Sequence, residues 1–134
     1  HTDNRRQRQM CIRDSNHFMW GIVTNKPTRM TLQLLNCLGI YCPFVVCGDT
    51  LRDRKPSPKP LLIASKLMNI DPINIMYVGD AKRDIDAGRL ANMKTVSADY
   101  GYIKDGDDPK SWNADICVKS PLILNKMIKK DCYR

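Results

Sequence analysis

Five side chains in three separate stretches of this chain have the chemistry to handle a phosphoryl group. Thr24 and Asn25 follow a short apolar run, Lys55 sits in a charged, Pro-rich loop, and Asp80 and Asp84 stand together near the middle. A hydroxyl with neighbouring backbone N–H groups can bind phosphate oxygens, and a lysine ammonium offsets their charge as a point cation. A hard cation such as Mg²⁺ takes oxygen ligands, commonly one or two carboxylates plus substrate phosphate oxygens. Phosphoryl transfer asks for this combination of positioning and charge neutralisation. Each residue also has a bland role: Thr24 as a helix cap before Pro27, Lys55 as a solvated loop lysine, Asp80 as a turn residue, Asp84 as a helix-start residue. The order of the set, each member at a crossing from strand to helix, is more specific than any member.

The elements that must position them read clearly. Ile75-Met76-Tyr77-Val78 is an apolar run without in/out alternation, the pattern of a buried parallel strand. It runs into Gly79, which allows a tight exit, and Asp80, which therefore falls at the strand's carboxyl end, where open α/β sheets bind ligands. Asp84 falls in the first turn of the next helix, at the positive end of its dipole. Upstream, Phe18–Val23 is a first strand. Thr28–Leu38 is an amphipathic helix with Thr31, Leu34, Leu35 and Leu38 on one face, stopped by Gly39. Phe44–Cys47 is a second strand and 49–60 a loop. Pro58–Asn69 is a helix with Leu61, Ala64 and Met68 on its buried stripe. Downstream, Lys82–Asn92 is a helix turning Ile85, Gly88 and Ala91 to the sheet. Thr95–Ala98 and Ile116–Val118 are strands around a 99–114 loop, and Pro121–Lys130 is the last helix. This alternation predicts an α/β fold, a Rossmann-like parallel sheet with helices on both faces.

Bulk properties narrow the class. A chain of 134 residues, 43% hydrophobic and 27% charged, suits one soluble globular domain. No apolar run is long enough to span a bilayer and no signal-peptide core is present, so a cytoplasmic location and no membrane partner are expected. The six cysteines form no CxxC pair and share no zinc-finger spacing with His1 or His17. Reduced thiols are expected, with Cys47 and Cys117 packing as small hydrophobes. The net charge of +8 is concentrated in Arg5, Arg6, Arg8 and Arg13 and in Lys126, Lys129, Lys130 and Arg134. Terminal charge without interleaved aromatics makes nucleic acid a minor expectation. Residues 1–15 lack apolar periodicity and read as a disordered or non-native leader, RQMCIRDS resembling translated sequencing-adapter sequence. Residues 16–134 read as the folded unit.

Three separated motifs carry a family resemblance. WGIVTNKP (20–27), GDTLRDRKPSPKPLL (48–62) and YVGDAKRDIDAGRLANM (77–93) resemble, in order, the second, third and fourth motifs of the haloacid dehalogenase-like phosphohydrolases, in particular the phosphoglycolate phosphatase group. YGYI (100–103) and DDPKSWNAD (107–115) extend the similarity, which covers roughly residues 18–130. The resemblance implies Mg²⁺-dependent hydrolysis of a small phosphorylated acid through an aspartyl-phosphate. It implies that Thr24 and the Asn25 backbone bind the phosphoryl group, that Lys55 binds it and offsets its charge, that Asp80 ligates Mg²⁺, and that Asp84 supports the metal or the loop around it. The family's first motif, an apolar strand ending in Asp-x-Asp-x-Thr, has no counterpart in these residues, nor has the helical cap that selects substrate. The expectation is an incomplete core domain, lacking the central nucleophile strand and the cap, with two exposed strand edges and no turnover by itself. Alternatives are a phosphatase of a phosphorylated amino-sugar acid of the N-acetylmuramic acid 6-phosphate type, or a non-catalytic phosphate- or partner-binding module. Oligomeric state is left open.

Overall fold

The computed structural model describes residues 19–101 and 103–132, with side chains as far as Ile128. The predicted leader and the start of the Phe18–Val23 strand lie outside the described residues. Five strands and four helices follow in the expected order: β1 (Ile22–Val23), α1 (Thr28–Leu38), β2 (Val45–Val46), α2 (Lys59–Met68), β3 (Met76–Gly79), α3 (Lys82–Leu90), β4 (Lys94–Ala98), β5 (Ile116–Val118) and α4 (Pro121–Cys132). Every ladder is parallel, with Ile22 opposite Val45, Tyr77 opposite Thr95 and Val96 opposite Ile116. Parallel pairing returns the chain through a crossover each time, a helix in every case but β4 to β5, which a loop joins, and so places the paired strands' carboxyl ends on one side.

The sheet is divided. β1 pairs with β2, β3 pairs with β4 and β4 with β5, and no ladder joins β1 to β3. The break falls where the family resemblance places the nucleophile strand, so β1 and β3 are both edges. This explains one departure from expectation: the apolar β3, composed like a strand covered on every side, is only half-buried along its length. Its neighbour β4, paired on both sides, buries Thr95, Val96, Ser97 and Ala98.

An apolar cluster bridges the break. Leu61 of α2 packs with Ala87, Ala91 and Met93, and Val23, Leu62, Ile75 and Tyr77 close around them. Leu61 and Ile85 are wholly buried, and each such side chain contributes about 1.5–3 kcal/mol by leaving water. Ile85 and Gly88 of α3 and Ala91 just after it are buried as their spacing predicts, and a Cβ at Gly88 would lie 2.7 Å from the Thr95 methyl of the sheet. Gly39 terminates α1 at φ 64°, and its N–H bonds the Asn36 carbonyl.

Three expectations need correction. The α1 face is amphipathic in sequence but is not covered: Thr31 is buried, while Leu34 and Leu38 are exposed. The helix that packs closely on β1 and β2 is α2, which leaves the α1 stripe uncovered. Cys47 is buried as expected, but Cys117 alternates to the open face of β5 and is exposed. The 99–114 loop contains a 3-10 turn, Pro109–Trp112, that buries Trp112. No described helix is long and apolar enough to cross a membrane.

Candidate active site at the carboxyl rim

Lys55 is fixed at both ends of its residue. Its backbone N–H donates to Asn25 Oδ1 at 3.1 Å, and Asn25 Nδ2 donates back to the Lys55 carbonyl at 3.3 Å. The loop bearing Asn25 is clamped in turn by Gly48, whose N–H bonds the Lys26 carbonyl at 2.8 Å. A Cβ at Gly48 would fall 1.9 Å from the Asn25 carbonyl oxygen, so only glycine permits this approach. The loops after β1 and β2 are therefore locked together before the lysine side chain begins.

The Lys55 side chain, 8% exposed, runs inward rather than into solvent. Its ammonium donates to Asp84 Oδ1 at 2.7 Å, to the Tyr77 hydroxyl at 3.0 Å and to the Val23 carbonyl at 3.1 Å. An ammonium has three N–H bonds, and all three are used. The Tyr77 hydroxyl in turn donates to the Val23 carbonyl at 3.2 Å. Burial, with the nearby Asp84 charge adding to it, raises the Tyr77 phenol far above its ordinary value, so it stays a neutral donor.

Asp84, 7% exposed, uses both oxygens. Oδ1 takes the ammonium, while Oδ2 accepts the backbone N–H groups of Asp80 and Ala81, each at 3.2 Å. A carboxylate in the first helical turn that reaches back to the preceding N–H groups is half of a capping box. Gly79 makes room for it: a Cβ there would lie 2.2 Å from the Asp84 Cβ. These bonds match the loop-supporting role more closely than direct metal ligation.

Asp80 is the complement. It is half-buried at the end of β3, and among the described residues its carboxylate receives no hydrogen bond or ion pair. Gly101 backs it closely, since a Cβ there would lie 2.6 Å from Asp80 Oδ2. Beside it opens a cavity of about 300 Å³ lined by Asp80, Ala81, Lys82, Arg83, Lys104 and Asp107. No group of three or more His, Cys, Asp or Glu capable of holding a metal occurs among the described residues. That donor set is too poor for a protein-caged transition metal. It fits Mg²⁺, which takes one or two carboxylates and completes its shell from water and phosphate.

The structure thus links Asn25, Lys55, Asp84 and Asp80 through a continuous hydrogen-bonded path across three strand ends. Thr24 lies one residue beyond the Val23 carbonyl, on the same loop. Its hydroxyl accepts the Lys26 N–H at 3.2 Å and does not touch Lys55 or either aspartate. Nor does Thr24 cap α1. Asp49 does so from the opposite loop, accepting from the Thr28 N–H at 2.9 Å and the Thr28 hydroxyl at 2.6 Å, bonds that hold its carboxyl below the usual carboxylate range. Thr24, Asn25 and Lys55 are not among the residues lining the cavity.

Sequence reasoning missed Tyr77 and Asp49. Tyr77 stood in an apolar run, but a buried phenol always needs a partner for its hydroxyl, and that need was the available signal. Asp49 carried no local signal, because it caps a helix that precedes it.

The model of one family, described as haloacid dehalogenase-like hydrolase, matches residues 13–98. The chain is similar to an N-acetylmuramic acid 6-phosphate phosphatase of Pseudomonas putida, 40% identical over 117 residues, covering 86% of this chain and 52% of that protein. It is also similar to a phosphoglycolate phosphatase of Xanthomonas campestris pv. campestris, 46% identical over 105 residues, covering 77% of this chain and 48% of that one. In three dimensions it resembles a protein titled a predicted phosphoglycolate phosphatase from Haemophilus somnus, with a TM-score of 0.76, 22% identity, and coverage of 91% of this chain and 55% of the other. That last likeness speaks to fold alone. The chain spans about half the length of the curated relatives it matches.

Proposed function

The chain belongs to the haloacid dehalogenase-like hydrolases, and from that premise we propose that it supplies the phosphate- and metal-handling part of a Mg²⁺-dependent phosphatase acting on small phosphorylated acids. 2-Phosphoglycolate is the first candidate substrate. The observation that carries this reading is the Lys55 ammonium, buried and held between the Asn25 loop and Asp84 at 2.7 Å. A cation fixed at the shared rim of three strand ends is positioned for phosphoryl oxygens, which take the place of one of its three internal acceptors.

Each residue has a role in this reading. Thr24 and the backbone at Asn25 hydrogen-bond the phosphoryl group, and Lys55 offsets its charge. Asp80, whose carboxylate has no partner among the described residues, holds Mg²⁺. Asp84 orients Lys55 and the Asp80 loop together. The metal, when bound, neutralises phosphate charge. The 134 residues contain no apolar strand ending in Asp-x-Asp-x-Thr, so they bind substrate without turning it over. The second substrate reading, a phosphorylated amino-sugar acid, is supported by the 40%-identical Pseudomonas relative.

Calorimetric titration of the chain with 2-phosphoglycolate, with and without Mg²⁺, tests the proposal. Binding that needs Mg²⁺ and is lost in Asp80→Asn is the expected result. Binding indifferent to both Mg²⁺ and Asp80 would overturn it. Phosphate release from 2-phosphoglycolate by this chain, abolished in Asp80→Asn, would overturn the claim that binding occurs without turnover.

A further inference from the structure

The cavity beside Asp80 is more cationic than metal and phosphate handling require. Lys82, Arg83 and Lys104 all line it, against the carboxylates of Asp80 and Asp107. Lys82 is already committed to Asp86 at 3.2 Å, one turn along α3. Arg83 and Lys104 are not: among the described residues neither side chain makes a hydrogen bond or an ion pair. They come from different elements, Arg83 from the start of α3 and Lys104 from the loop after β4. Two uncommitted cations from two elements therefore face one space, next to the carboxylate assigned to the metal.

We propose that this cavity is the subsite for a second anionic group of the substrate, its carboxylate, held by Arg83 and Lys104. The inference rests on the phosphatase reading and deepens it, by stating which phosphomonoesters the chain prefers. With Asp80 turned to a divalent cation and Lys82 paired to Asp86, the lining sets Arg83 and Lys104 against the one carboxylate of Asp107, which leaves positive charge for a ligand to neutralise. A guanidinium offers a planar pair of donors matched to a carboxylate, and an ammonium supplies the second charge. A volume of about 300 Å³ stands at the lower end for ligand pockets and suits a small acid.

The test compares two near-isosteric esters, 2-phosphoglycolate and ethyl phosphate, binding to the full chain in Mg²⁺ by calorimetry. The wild-type chain is expected to bind 2-phosphoglycolate about tenfold more tightly. In R83Q/K104Q that preference falls to within about twofold, while ethyl phosphate binds as before. K94Q, an exposed lysine at the opposite end of β4, controls for general loss of charge and keeps the preference. Equal binding of the two esters by wild type, or a preference that survives in R83Q/K104Q, overturns the subsite and leaves the phosphatase reading standing. Failure of both esters to bind wild type overturns the phosphatase reading and the subsite with it. Both substituted side chains are exposed and bond nothing described, so the double variant is expected to fold; circular dichroism confirms it before titration.

Discussion

Replacing Lys55 with methionine isolates what the buried ammonium does. Methionine keeps most of the apolar stem and removes the charge with its three hydrogen bonds, to Asp84 at 2.7 Å, Tyr77 at 3.0 Å and Val23 at 3.1 Å. Asp84, 7% exposed, then keeps only the Asp80 and Ala81 N–H groups. Removing one partner of a buried pair strands the other charge and costs about 3–5 kcal/mol. That is a large part of the roughly 5–15 kcal/mol that holds a domain folded. With urea slopes of about 1–3 kcal/mol per molar, the unfolding midpoint of Lys55→Met should fall by at least about 1 M. Asp84→Asn should also destabilise. The double variant should lose less than the two singles added, by more than about 1 kcal/mol, because neither remaining group then carries a stranded charge. Urea unfolding followed by circular dichroism measures all four proteins. A Lys55→Met change within about 0.5 kcal/mol of wild type, the range of an ordinary surface substitution, would refute the claim that this ion pair is buried and fully bonded.

Tyr77→Phe removes one acceptor from Lys55 and one donor to Val23, and should cost about 1 kcal/mol in urea unfolding. Gly48→Ala drives a Cβ into the Asn25 carbonyl, 1.9 Å away, so it should displace the loop that fixes Lys55 and weaken Mg²⁺-dependent ester binding in calorimetry. Asp115 accepts from the buried Thr95 through its backbone N–H at 2.8 Å and its hydroxyl at 3.1 Å. Asp115→Ala should therefore cost about 1–3 kcal/mol by taking the acceptor from the Thr95 N–H and from the hydroxyl proton, while the residue-115 N–H still donates to the Thr95 hydroxyl oxygen. The Thr95 N–H, followed by the Thr95 hydroxyl, holds the Asp115 carboxyl below its ordinary value. Its contribution is complete above the unfolded value near about 3.9 and is lost as pH falls through the lower folded value. Wild-type and Asp115→Ala urea midpoints should converge on acidification below about pH 4.

How much was readable in advance depended on whether a residue's partner is near in sequence. α1 was placed at Thr28–Leu38 and β5 at Ile116–Val118, as found, because capping and apolar period are local signals. The burial of Ile85, Gly88 and Ala91 was legible from helical spacing for the same reason. The order of Asn25, Lys55, Asp80 and Asp84 announced a site, since each followed a strand. Their wiring was not legible. That Asn25 grips the Lys55 backbone, and that Tyr77 shares the ammonium, are contacts across 30 and 22 residues. The exposure of Leu34 and Leu38 was hidden too, because amphipathicity shows which face seeks cover and is silent on whether any element supplies it.

The division between β1 and β3 gives Lys55 a second occupation. No backbone ladder crosses that seam. Among the described residues, besides the Leu61 cluster, the lysine ammonium spans it to Asp84 and Tyr77, and the tyrosine phenol spans it to the Val23 carbonyl. In the proposed reading the nitrogen that fastens the halves is also the one that meets the ligand. An arriving dianion that draws it from Asp84 and Tyr77 slackens the joint, so occupancy at the rim and stiffness between the halves become opposing quantities. Amide exchange at Asp80 and Ala81, whose N–H groups rest on Asp84, is where that trade would first register.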